Sequence, residues 1–196
     1  MPRFFVAIAT AIALLLPASL WADPIPYRLQ ADRSEVGFIF NLSGANNRGS
    51  MPVRAADIVI DFDRFTNSSA DVTVDVSRAR TGLIFATEAL KAGSVLNASA
   101  HPTIRFQSTA IRPNDPRNLS AGGKIDGNLT IRGVTRPVTL DAALFRQQGT
   151  AEGDLSQLSF RISGSVNRSD FGATGYSDIV ADQIRLDIAA RVIAAR

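Results

Sequence analysis

Apolar side chains fall at every second place through most of the chain from Asp23 onward, and that single periodicity limits what the chain can fold into. Val36, Phe38, Phe40 and Leu42 keep this phase. So do Ile58, Ile60 and Phe62; Val72, Val74 and Val76; Ile104 and Phe106; and Ile125, Leu129 and Ile131 with Gly127. Val138, Leu140, Ala142 and Leu144 follow, then Leu158, Phe160 and Ile162, and lastly Ile184, Leu186, Ile188 and Val192. A period of two puts one face of a strand in the core and the other in water, whereas a helix needs a period of 3.6. Clusters rich in Gly, Asn, Asp, Ser and Pro separate the runs, at 43–47, 112–116 and 149–154. The expectation is an all-β fold of about eight antiparallel strands. Closure into an eight-stranded barrel is favoured because it removes exposed edges, and the long runs Thr135 to Phe145 and Asp182 to Ala194 suit tilted, coiled strands.

The segment before Asp23 reads differently. Met1 to Arg3 carries one positive charge, Phe4 to Leu16 is almost wholly apolar, and Pro17 and the small residues up to Ala22 follow. This order predicts a cleavable signal peptide over 1–22, with the mature domain spanning 23–196 and an exported, periplasmic location. The apolar run is shorter than the ~20 residues of a membrane-spanning helix, so no stable membrane span is expected. Loss of Arg3 with the leader leaves 20 basic against 18 acidic residues, too weak an excess to imply nucleic acid as partner. The chain has no Cys, so neither a disulfide nor a lipid-modified Cys is available.

One stretch departs from the strand pattern. Thr87 to Gly93 opens on a capping residue and ends on glycine, which predicts a short helix, with a second turn through Ser94 to Asn97. Lying over one barrel end, this lid takes an apolar underside from Ile84, Phe85, Leu90, Val95 and Leu96. It serves either as a plug that finishes the core or as a gate.

Side chains for catalysis or metal binding are scarce. His101 is the one imidazole and lies in a turn beside Pro102, which leaves neither a zinc site nor a Ser-His-Asp arrangement with a base in place. Asp57, Asp61, Asp71 and Asp75 fall at the polar phase of their strands, so they are expected in water on the outer surface with ordinary pKa values. No catalysis, metal or cofactor is expected. Inward positions Gly127, Gly164 and Ser108 are expected to lower the filling of the barrel and open a channel.

From Gly127 to Leu140 the chain reads Gly-Asn-Leu-Thr-Ile-Arg-Gly-Val-Thr-Arg-Pro-Val-Thr-Leu, and this hairpin resembles that of the YceI-like, polyisoprenoid-binding, lipocalin-like proteins. Supporting pieces are Tyr27 to Phe40, Thr81-Gly82, His101 to Thr109 and Asn167-Arg168-Ser169-Asp170-Phe171-Gly172. Near the barrel mouth, Asn41-Leu42 and Ala86 to Ala89 stand where the family carries polar residues, and Val95-Leu96 stands where it carries an aromatic pair. The resemblance implies an extended lipocalin-like barrel that encloses an isoprenoid, quinone or fatty-acyl chain. Wall candidates for that long-chain lipid are Phe38, Phe40, Phe106, Leu144 and Phe160, with Phe85, Leu90 and Phe171 nearer the opening. An alternative is a protein-binding, stress-response module with a filled barrel, suggested by apolar positions Ile39 and Val59 on the outer face. A lipid-modifying enzyme using Asp170 or Asp178 is the least supported. A homodimer is compatible with the sequence.

Overall fold

The structure, a computed structural model, describes residues 23–145 and 149–195 apart from 150 and 152; the expected leader lies outside the described residues. Its strands are β1 (Ile25–Leu29), β2 (Glu35–Leu42), β3 (Ala45–Met51), β4 (Val53–Ile60), β5 (Ser69–Asp75) and β6 (Arg80–Thr81). After helix α1 (Ile84–Lys91) come β7 (Thr103–Pro113), β8 (Gly123–Ile131), β9 (Val134–Phe145), β10 (Gln157–Asn167) and β11 (Gln183–Ala194).

Eight strands close a ring in the order β1, β4, β5, β7, β8, β9, β10, β11 and back to β1, every neighbour antiparallel. The remaining three prolong the wall at one end, β2 on β11, β3 on β2 and β6 on β3. β1 and β2 share one edge of β11: Tyr27 to Leu29 pair with Val192 to Ala194, and Glu35 to Ile39 pair with Arg185 to Ala189. The chain steps between them through a 3-10 turn, Ala31–Arg33, and Ser34 repairs the gap. The Ser34 hydroxyl donates to Gln30 O at 2.7 Å and accepts from Arg191 N at 3.0 Å. β3 and β4 are likewise one run interrupted at Pro52, which has no N–H to give a ladder. Asp75 N donates to the Pro52 carbonyl across the kink.

β3 corrects the expectation of a turn cluster over 43–47. Only Ser43 and Gly44 form the turn, both with positive φ (49° and 88°), and Ala45, Asn46 and Asn47 already pair with β2. The strand was masked by its composition. Its inward places, opposite Val36, Phe38, Phe40 and Leu42, are Met51, Gly49, Asn47 and Ala45, because the Phe38 ring occupies the space above Gly49. In the hairpin of the Gly127 to Leu140 segment, Arg132 and Gly133 both take positive φ (52° and 76°) between the paired Ile131 and Val134.

Glycines in the wall leave room in the lumen indirectly, by seating neighbouring side chains against the sheet. A Cβ on Gly127 would lie 2.4 Å from the Phe106 ring and 2.6 Å from Gln107 O, and one on Gly164 would lie 2.7 Å from Leu140 Cδ2. Ser108 is also committed, since its hydroxyl accepts from Ala70 N at 2.8 Å. Two apolar clusters occupy the ends of the barrel. One gathers Phe38, Phe40, Met51, Val74, Val76, Ala79, Ala86 and Leu96 beneath α1, and the other gathers Tyr27, Ile60, Leu158 and Val192. Tyr27 keeps its hydroxyl satisfied by donating to Leu155 O at 2.7 Å, and burial, aided by the Asp154 charge, pushes its pKa up to about 12.

Of the four strand aspartates, two depart from the expectation of solvated groups with ordinary pKa values. Asp61 is 2 % exposed, at the turn after β4. Its Oδ1 accepts from Arg64 N (2.7 Å) and Asp63 N (3.0 Å), and its Oδ2 accepts from Asn67 Nδ2 (2.7 Å). The Arg64 amide contributes most to holding its carboxyl below the usual range, while burial opposes. Asp71 is also lowered, by the hydrogen bonds of Arg105 on the neighbouring strand.

Two predictions follow from these contacts. Gly127→Ala must displace the Phe106 ring or part β7 from β8, so it is expected to lower unfolding free energy by roughly 1–3 kcal/mol in urea denaturation. Asp61→Asn turns an amide toward the Asn67 amide and lowers the urea midpoint at pH 7. Because the folded pKa is depressed, the carboxylate's contribution is complete above the unfolded value of about 3.9 and fades as pH falls through the folded value. The gap between wild type and variant therefore narrows below about pH 4; a gap independent of pH would contradict the assigned contacts.

Candidate functional site: an apolar tube with a half-exposed mouth

Inside the ring lies a cavity of about 440 Å³. Its walls come from alternate positions of the strands, as the period of two requires. Val72, Ile104, Phe106, Ile125, Val138, Phe160, Ile162, Ile184, Leu186 and Ile188 all line it, yet none is fully buried. In a close-packed interior such inward-facing aliphatics lose nearly all their accessible surface. Here part of each faces open space within the barrel, so the lumen is not filled by side chains.

All eight wall candidates border this one cavity: Phe38 and Phe40 from β2, Phe106 from β7, Leu144 from β9, Phe160 from β10, Phe85 and Leu90 from α1, and Phe171 after β10. Phe38, Phe40 and Phe171 are buried and form the firm part of the wall. The outer apolar positions Ile39 and Val59, taken as a ground for protein binding, are only half-exposed.

The lid differs from its expected form. α1 begins at Ile84, three residues before Thr87, and Leu83 at its N-cap offers no side-chain cap. Thr87 sits inside the helix, where its hydroxyl donates to Leu83 O at 3.1 Å and accepts from Thr81 N at 3.0 Å, tying α1 to β6. A Thr that bonds back to a carbonyl four residues earlier mimics a capping signal in the sequence. Ala86, Leu90, Val95 and Leu96 form the underside, whereas Ile84 is 87 % and Phe85 64 % exposed. The chain after α1 is fastened down: Arg132 Nη1 donates to Gly93 O at 2.7 Å and also to Val95 O, and Gly175 N donates to Ser94 O at 2.8 Å.

Three partly exposed apolar residues of the cavity wall, Phe85, Tyr176 and Ile179, mark where it meets solvent beside α1. Tyr176 and Ile179 escaped the sequence reading because they lie in the loop before β11, where no periodicity operates. Arg168 escaped as well. It is 8 % exposed, borders the cavity, and has its guanidinium surrounded by backbone carbonyls. Among the described residues no group of His, Asp and Glu is placed to hold a metal, and no helix is long and apolar enough to cross a membrane. Asp170 and Asp178 are both exposed.

With this geometry in hand, comparison with known proteins is decisive for family. A family model described as the YceI-like domain matches residues 27–192. The chain belongs to the YceI-like family. Among curated YceI-like relatives, a UPF0312 protein of Pseudomonas aeruginosa is 36 % identical over 120 residues, which is 57 % of this chain and 60 % of that protein, so the match spans less than two thirds of the relative's length. A UPF0312 protein of Pectobacterium carotovorum is 33 % identical over 137 residues, 66 % of this chain and 68 % of the relative. Solved structures agree on the fold. Burkholderia cenocepacia BcnA superposes with a TM-score of 0.71 at 19 % identity, covering 84 % of this chain and 99 % of its own. A polyisoprenoid binding domain from Saccharophagus degradans gives 0.62 at 11 % identity, covering 87 % and 99 %. The YceI-like barrel is thus a closed eight-stranded antiparallel ring with one short helix.

The open lumen leads to a test. In a filled core Ile162→Phe would overpack and lower stability by roughly 1–3 kcal/mol. In this YceI-like barrel the added ring has space to enter, so the variant is expected to stay within about 1 kcal/mol of wild type in urea denaturation.

Proposed function

We propose that this protein binds a long, slender apolar lipid inside its barrel, for transport, storage or protection in the periplasm after removal of residues 1–22. The observation that carries the reading is the continuous apolar cavity whose inward aliphatics are left half-covered. The candidate chains are a polyisoprenoid, an isoprenoid quinone or a fatty-acyl chain. Membership of the YceI-like family and the fold likeness to a polyisoprenoid binding domain support the same class of ligand. Phe38, Phe40, Phe106, Leu144 and Phe160 make the tube, and Phe85, Leu90 and Phe171 its lid end.

Burial energetics favour a tail-driven ligand. At about 0.8 kcal/mol per methylene, ten enclosed carbons contribute on the order of 8 kcal/mol before association costs. Micromolar affinity needs a net term of about that size, so once association costs are subtracted a tail longer than ten carbons is favoured. The cavity, at about 440 Å³, lies in the lower half of the usual range of roughly 300–1,000 Å³ for small-molecule pockets, which favours one chain over a two-chain phospholipid. Among the described residues of the wall none supplies a nucleophile paired with a base, so we infer binding without turnover.

Native purification from the exporting host, solvent extraction and mass spectrometry are expected to return a single-chain lipid in near-stoichiometric amount, and an N-terminus at Asp23. Phe106→Glu places a charge in the tube and is expected to remove the lipid, with folding checked by circular dichroism; Ile162→Phe, which fills space without charge, is expected to reduce it. Empty wild-type barrels from repeated preparations, together with a protein partner recovered by crosslinking, would favour the protein-binding alternative.

A further inference from the structure

The end of the tube remote from α1 is shut by a pair of rings. β4 carries Val53 against the cluster beneath α1 and Ile60 in the Tyr27 cluster, so the turn after Ile60 stands at the opposite end of the lumen. In that turn Phe62 and Phe65 meet edge to face, with ring centroids 6.1 Å apart and planes at 82°. Both rings are half-buried, pack against the Tyr27 cluster and border the cavity. Phe65 opens a 3-10 turn, Phe65–Asn67, that lies close to β4 and also to β7, so it crosses the end of β5 between them. Across the barrel the chain entering β8 is pressed against β9: a Cβ on Gly122 would lie 2.7 Å from Ala142 O.

Asp61 fixes this closure in place. Its amide donates to Ser68 Oγ at 2.9 Å, and its buried carboxylate takes the Asp63 and Arg64 amides and Asn67 Nδ2, so both ends of the turn are clasped to one residue. A turn whose polar groups are paired in this way gives little when an apolar chain presses on it, because moving it would strand buried donors and acceptors. The mouth beside α1 is the contrast, with Phe85 and Tyr176 half in water.

The distance between the two ends sets a length. The inward places of β11 run from Ile184, against the cluster beneath α1, to Val192 in the Tyr27 cluster, eight residues further on. At about 3.4 Å per residue and a strand tilt of about 40°, those steps give the tube about 20 Å along its axis. An extended alkyl chain advances about 1.3 Å per carbon, given a carbon–carbon bond of about 1.5 Å, so about sixteen carbons span it.

We propose that Phe62 and Phe65 are a stop that measures the ligand's tail, and that the tube fully encloses straight chains up to about sixteen carbons, leaving the excess of a longer chain outside the mouth. This rests on the lipid-binding reading and adds a length limit with the two residues that set it.

The test offers the mature wild-type protein phosphatidylcholine vesicles that carry an equimolar mixture of straight-chain primary alcohols, at even lengths from twelve to twenty-two carbons. After flotation removes the vesicles, the protein is extracted and each alcohol is measured by mass spectrometry relative to its content in the vesicles. Bilayer and tube are both apolar, so chains that fit are expected at a level ratio. Each methylene left in water beyond the stop is expected to cut uptake about fourfold. Phe62→Ala and Phe65→Ala, checked for folding by circular dichroism, are expected to move the fall to chains about four carbons longer while uptake of the shortest chains is unchanged. Phe65→Leu, a milder change that keeps the turn apolar, is expected to move it less in the same direction. Ala190→Leu, which adds a branch to the lumen near the closed end, is expected to move it to shorter chains. A level ratio through twenty-two carbons in the wild type overturns the stop while leaving the tube as a lipid site. A fall that stays in place in the folded variants of Phe62 and Phe65 overturns it too. Uptake of no alcohol at any length overturns the stop and the lipid-binding reading together.

Discussion

Closure of the β-ladder is the constraint on which the rest of the molecule depends. β1, only five residues long, joins the last strand to β4 by pairing Tyr27 to Leu29 with one neighbour and Ile25 to Tyr27 with the other. Without that strip, β4 and the outer half of β11 would present free N–H and C=O groups, and the lumen would open along its side. The strip is placed by apolar contacts as well as hydrogen bonds, since Tyr27 packs with Ile60, Leu158 and Val192. The chain has no Cys, so no disulfide fastens the strip, and packing and the Ser34 bridge serve instead.

From closure follows the inward face, and from the inward face the tube. Eight strands set a circumference at which side chains can nearly fill the interior. In this barrel Phe38 is folded over Gly49 and Phe106 over Gly127, so two large rings lie against the wall and take little of the axis. That arrangement explains how a lumen rich in phenylalanine stays open: the glycines are sockets for rings.

The two ends of the barrel are built differently, and the difference gives the tube a direction. One end is packed by the Tyr27 cluster and the Asp61 turn, where each polar group has a partner. The other has a helix tied down at both of its flanks, a loop drawn in by Arg168, and half-exposed Phe85, Tyr176 and Ile179. Arg168, which holds that loop, is the one buried cation among the described residues.

Much of this was legible in the sequence because period two is a local property. Each of the eight apolar runs became a strand, the Gly127 to Leu140 segment formed a hairpin, and all eight wall candidates border one cavity. The errors share a cause, namely that they depend on neighbours remote in the chain. β3 reads as polar turn residues, since its inward places are covered from β2. Thr87 imitates a cap while bonding back to Leu83 and to Thr81. Asp61 keeps the polar phase of its strand yet is buried by the turn that follows it, and Ile84 lies in solvent despite its place beside apolar positions.

What the sequence determined by itself was the strand pattern, the inward set and the absence of thiols, all fixed by residue type and spacing along one chain. Tertiary structure alone decided that the lumen stays open, that Gly127 and Gly49 hold rings, and that Arg168 reaches four carbonyls of a loop. Those outcomes depend on register and closure around the ring, which bring together atoms that spacing along the chain does not relate.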